Sequence, residues 1–70
     1  MQKSQAVGEF AETVLPAIVR RFGPSDVVAA RTAWNDYTDA LHRDGRITDR
    51  QVEQWTQPDI ARMIRREVAR

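Results

Sequence analysis

The run Asp44-Gly45-Arg46-Ile47-Thr48-Asp49-Arg50-Gln51-Val52-Glu53-Gln54-Trp55 leaves this chain few choices of architecture. Gly45 suits the left-handed residue that closes a helix. Thr48 and Gln51, three apart, form a capping box: each side chain reaches the other residue's backbone N–H. Ile47 before the cap and Val52 at the fourth helical position are spaced for a hydrophobic staple. One helix must therefore end and another begin within a few residues, with Val52 and Trp55 expected to enter the core.

The remaining pattern has the same period. Ser4 is a good N-cap residue, followed by apolar residues at Val7, Phe10, Ala11, Val14, Leu15, Ile18, Val19 and Phe22. This is the spacing of a wide helical face. Pro16 interrupts the ladder without disturbing the apolar phase, which predicts a kink or a restart. Gly23-Pro24 stops the helix. Ser25 or Asp26 caps a second helix to about Arg43, with Val27, Ala30, Trp34, Tyr37 and Leu41 on its inner seam. The Tyr37 hydroxyl is expected to reach solvent or backbone. Thr56-Gln57-Pro58-Asp59 reads as a further helix start, with Thr56 as cap and Pro58 in the first turn. Ile60, Ala61, Ile64 and Val68 then point inward. No stretch alternates in the manner of a strand. The expectation is an all-α fold, a small antiparallel bundle of three to four helices, in one domain spanning residues 1–70.

A chain of 70 residues buries only about 60% of the surface its unfolded form exposes, so self-association or a partner would help it. With no cysteine, disulfides and thiolate metal sites are excluded. No metal site or cofactor is expected around the single histidine. The net charge of +1 does not by itself call for nucleic acid or a membrane. No apolar run approaches the roughly 20 residues of a membrane span, and the first residues lack signal-peptide character, which points to a cytoplasmic protein. All basic residues but Lys3 are arginine, the side chain suited to planar contacts with carboxylates and phosphates.

Two functional motifs are imitated. Asp44-Gly45-Arg46-Ile47 resembles the middle of an EF-hand loop, but that register puts Ala40 and Gln51 where calcium requires carboxylates. Ile47 to Trp55 resembles the start of a homeodomain recognition helix. Pro58 then stands where the adenine-reading asparagine belongs, and Asp59-Ile60 replaces the basic run. Both matches are explained as a capped helix start. His42, near a helix C-terminus, is a dipole partner and has no catalytic companion at a telling spacing. The chain is therefore not expected to be an enzyme. Arg62, Arg65, Arg66 and Arg70 either contact phosphates or form the solvated face of a terminal helix, which is favoured.

The run Trp34-Asn35-Asp36-Tyr37-Thr38-Asp39-Ala40-Leu41, with Asp44-Gly45-Arg46-Ile47-Thr48, Gln51 and Trp55, resembles small uncharacterised proteins encoded by bacteriophages and prophages. The resemblance implies a non-catalytic protein that binds a host protein or protein complex in the cytoplasm, such as an anti-defence (anti-CRISPR-like) inhibitor. Asp36, Asp39, Arg43, Arg46, Arg50, Arg62, Arg65 and Arg66 are the candidate contact residues. The alternative is a small helix-turn-helix-like DNA-binding or regulatory protein using the third or fourth helix.

Overall fold

The computed structural model describes residues 1–69, so Arg70 lies outside the described residues. The described chain forms five helical segments, α1 (Lys3–Thr13), α2 (Leu15–Phe22), α3 (Val27–Arg43), α4 (Asp49–Gln54) and α5 (Ile60–Val68). None is long and apolar enough to cross a membrane. The all-α expectation holds. The extra segment arises at Pro16, where the first expected helix divides.

Helix α1 starts before Ser4, at an N-cap Gln2 that makes no side-chain capping bond. Tertiary contacts hold this end instead. Lys3 Nζ donates to Thr56 Oγ1 at 3.0 Å, and Gln51 Nε2 donates to the Met1 carbonyl. At Val14 the backbone stays in the right-handed helical region while the hydrogen-bonding pattern breaks. Pro16 falls in the first turn of α2, where the missing N–H is one that a helix start leaves unpaired in any case. The junction is a single residue, because Val14 N–H still reaches Phe10 O and Ile18 N–H reaches Val14 O.

Gly23 ends α2 with φ 91° and ψ 157°, a positive-φ geometry open to glycine and distinct from the left-handed helical cap common at helix ends. Phe22, expected on the apolar face, is 47% exposed. It is the last residue of α2, where the chain turns away and stops covering its ring.

Asp26 caps α3, its Oδ1 accepting the Ala29 N–H at 3.0 Å. The far end of α3 closes as a Schellman motif. Arg46 N–H reaches Leu41 O and Gly45 N–H reaches His42 O, with Gly45 at φ 76°. This is the paired bonding that satisfies orphan carbonyls. The capping box of α4 is complete: Gln51 N–H to Thr48 Oγ1 at 3.2 Å, and Thr48 N–H to Gln51 Oε1 at 2.9 Å. The cap of α5 is Asp59, whose Oδ1 accepts the Arg62 N–H at 3.0 Å. Thr56 therefore does not cap, and Pro58 precedes the cap instead of entering the first turn.

The core comprises Ala6, Phe10, Leu15, Ala30, Trp34, Leu41, Ile47, Ile60 and Ile64. Phe10 meets Trp34 edge to face, centroids 5.3 Å apart, and lies 5.7 Å from the Tyr37 ring. Helices α2 and α3 pack together and α5 lies across both. Two expected core positions are corrected. Val52 is 37% exposed because α4 is too short to press both its ends inward. Val68, the last residue of α5, is 57% exposed. Phe10→Ala should destabilise the fold by about 3–5 kcal/mol through the cavity it leaves. Thr48→Ala should cost only about 1 kcal/mol, the value of one cap. Urea unfolding followed by circular dichroism measures both.

Candidate functional site

The outward side of α3 is built by helical spacing alone. Val28, Thr32, Asp36, Asp39 and Arg43 recur every three or four residues and are all exposed, so they form one stripe along the helix. The stripe is apolar at its start, acidic in its middle and basic at its end. Asp36, Asp39, His42 and Arg43 line a shallow hollow near the last turn. His42 Nε2 pairs with Asp49 Oδ1. This contact joins the end of α3 to the start of α4 and holds Asp49 in the first turn of α4, where the helix dipole favours a carboxylate. His42, read from sequence as a dipole partner, thus also has a specific carboxylate.

Beside the stripe runs a groove of about 360 Å³ between α3 and the α4 segment, lined by Trp34, Asn35, Thr38, Asp39, Val52, Trp55 and Gln57. Trp55 is half-buried and packs against the core while forming part of this wall. The groove therefore offers an indole, a valine and a carboxylate together. Sequence reasoning placed Val52 and Trp55 inside. The signal against that was Pro58: α4 ends at Gln54, so Trp55 caps the helix instead of lying within it.

The eight residues singled out from the sequence separate into groups. Asp36, Asp39 and Arg43 come together on α3, and exposed Arg50 stands on α4. Arg46 turns elsewhere, with its Nη2 3.6 Å from Glu9 Oε2 on α1. An ion pair that exposed adds little stability. Arg62, Arg65 and Arg66 lie on the outward face of α5, opposite buried Ile60 and Ile64. Arg66 also borders a hollow with Ser4, Val7, Gly8, Ala11, Leu15, Met63 and Glu67. The structure thus places the α5 arginines on a different helix from the α3 stripe.

Glu9 carries a second contact that the sequence did not disclose. Tyr37 Oη donates to Glu9 Oε2 at 2.9 Å, so the phenol reaches a carboxylate instead of solvent or backbone. Burial, the hydrogen bond to Glu9 and the Glu9 charge push the Tyr37 pKa up to about 12, partly opposed by Arg46.

No family model matches this chain, and no curated protein or solved structure matches it significantly.

The raised Tyr37 pKa sets a pH dependence. Stability from the neutral phenol is fully present below the ordinary value of 10.0 and is lost as pH rises through about 12. Tyr37 is the sole tyrosine, so tyrosinate absorbance reports it alone. The native titration should have its midpoint at about 12. In Glu9→Gln the midpoint should fall, because the opposing negative charge is gone. A wild-type midpoint at the ordinary tyrosine value would contradict the Glu9 contact.

Proposed function

We propose that this protein is a non-catalytic, phage-type binder of a host protein that inhibits a defence complex in the anti-CRISPR manner. Its docking surface is the α3–α4 groove with the charged stripe beside it. The observation that carries this reading is the placement of Trp55 and Val52 on an open wall next to Asp39. Tryptophan at the centre of a contact surface concentrates binding energy, and charged residues around it set orientation and partner choice. Asp36 and Arg43, which share a hollow with the groove residue Asp39, supply charges of both signs beside the groove. A mixed rim suits a protein surface of complementary pattern better than a uniform polyanion. The likeness of Trp34–Leu41 and Asp44–Thr48 to small phage proteins supports the same class of partner.

The alternative is a DNA-binding or regulatory protein. Its support is the outward set Arg62, Arg65 and Arg66 on α5, which suits phosphates. The segment placed as a recognition helix suits it less. Helix α4 has six residues, a length of about 9 Å, and it ends before the point where a homeodomain reads adenine.

Expression in bacteria carrying an active defence nuclease complex should raise phage plaquing. The combined change Val52→Glu with Asp39→Arg should remove that gain while leaving the helical circular dichroism intact. Absence of any effect across defence backgrounds would remove the inhibitor reading. Sub-micromolar binding to nonspecific duplex DNA, weakening steeply with salt, would replace it with the DNA-binding one.

A further inference from the structure

Of the residues that line the groove between α3 and the α4 segment, Asp39 alone carries a charge. Asp39 is exposed, and among the described residues it makes no ion pair and no side-chain hydrogen bond. Arg43 stands four residues further along α3, at a spacing that permits a pair, yet none forms. Beside Asp39, the Thr38 hydroxyl donates its proton to the Asn35 carbonyl at 3.0 Å. Its oxygen is left with lone pairs and no proton to offer. The α3 wall thus holds acceptors, an unpaired carboxylate and a hydroxyl oxygen. The side-chain amides of Asn35 and Gln57, also on the lining, can turn either their oxygen or their nitrogen to a ligand.

The facing wall is made by Val52 and Trp55. Trp34 also borders the groove but is buried, so half-buried Trp55 is the indole with surface to give. The hollow holds about 360 Å³, at the small end of the roughly 300–1,000 Å³ of ligand sites. That is room for one long side chain, not for a length of peptide.

An aliphatic patch, an indole and acceptors of net negative charge complement one kind of side chain. A guanidinium is planar, stacks on aromatic rings and offers its N–H donors in a fork that matches a carboxylate. Its methylene stem covers apolar surface. An ammonium brings the charge without the plane. An acidic side chain is repelled by Asp39, and a purely apolar one leaves that carboxylate desolvated without a partner. We propose that this groove is a subsite for an arginine side chain presented by the protein that docks there. The guanidinium lies against Trp55 and pairs with Asp39, Thr38 Oγ1 accepts a further N–H, and the stem crosses Val52. The subsite rests on the docking reading of the groove and adds to it the side chain that is recognised.

An NMR titration of the isotope-labelled full chain with acetylated and amidated Gly-Arg-Gly tests the subsite. The indole N–H signal of Trp55, told from that of Trp34 by its loss in Trp55→Phe, should shift and saturate in the millimolar range. The same peptide with citrulline in place of arginine keeps the shape without the charge and should bind about tenfold or more weakly. The lysine peptide, which lacks the plane, should bind about threefold or more weakly. Asp39→Asn should weaken arginine-peptide binding by about tenfold. Asp36→Asn, off the lining, should weaken it by less than about twofold because solvent screens that charge. Both variants should keep the helical circular dichroism. No saturable shift at tens of millimolar overturns the subsite. So does a citrulline or lysine peptide that binds as tightly as the arginine one, or an equal loss in Asp36→Asn and Asp39→Asn. The plaquing assay separates this from the reading beneath it. A plaquing gain that Val52→Glu with Asp39→Arg removes, without arginine-peptide binding, keeps the docking and rejects the subsite. Arginine-selective binding without any plaquing gain keeps the subsite and rejects the inhibitor.

Discussion

The contact between Phe10 and the Trp34–Tyr37 pair holds the two ends of this design together. Phe10 is fully buried and meets Trp34 edge to face. Aromatic pairs in this arrangement add about 0.5–1.5 kcal/mol beyond the area they bury. More important is what they join. Helix α1 and helix α3 are separated in sequence by all of α2 and its turn, so no local capping or turn signal can bring them together. The Tyr37–Glu9 hydrogen bond fixes the rotation of α1 against α3 at the rim of the same cluster. Arg46, beside Glu9, ties the α3–α4 turn to this point. Core, rim and turn therefore converge on one turn of α1.

Local chemistry explains why the segments meet at that point with defined ends. Asp26, Thr48 and Asp59 each accept a backbone N–H from the first turn of the helix they precede. Gly45 lets α3 close with paired carbonyl bonds before Ile47 drops into the core. Short turns with fixed exits leave little freedom in the direction of the next helix. Gln51 shows how local and distant constraints combine. Its Oε1 completes the capping box, and its Nε2 holds the Met1 carbonyl. The same residue that starts α4 thus anchors the chain before α1.

What could be read from sequence follows this division. The helical class, the reach of α3, its cap to within the pair Ser25 and Asp26, the Thr48 cap and the Gly45 stop depend on neighbours within about four residues, and they were legible. The absence of a Ser4 cap was not, because Lys3 and Gln51 hold the start of α1 through contacts with no sequence proximity. The exposure of Phe22, Val52 and Val68 was missed for a related reason. Periodicity says which face of a helix is apolar, but it does not say where a neighbouring helix stops covering that face. All three residues stand in the last turn of a short helix or at its final position. On the candidate surface, Asp36, Asp39 and Arg43 were legible as exposed positions because one uninterrupted helix carries them off its apolar seam. Their association with Trp55 depends on how α4 folds back against α3, which the spacing does not encode.

The same end effects account for the location of the exposed apolar side chains on the flanks of α3. A helix of 17 residues extends well beyond partners of six to eleven, so neighbours cover its inner seam continuously and its flanks only in part. Where α2 ends, Phe22 and the alanines of α3 are left facing a gap. Where α4 ends, Val52 and Trp55 are left facing another. Neither gap can be closed by rearranging the core, since Phe10, Trp34 and Leu15 are already enclosed. In a domain this small, apolar surface on the flanks of the longest helix follows directly from unequal helix lengths. The surface proposed for docking lies where the short helices leave that burial unfinished.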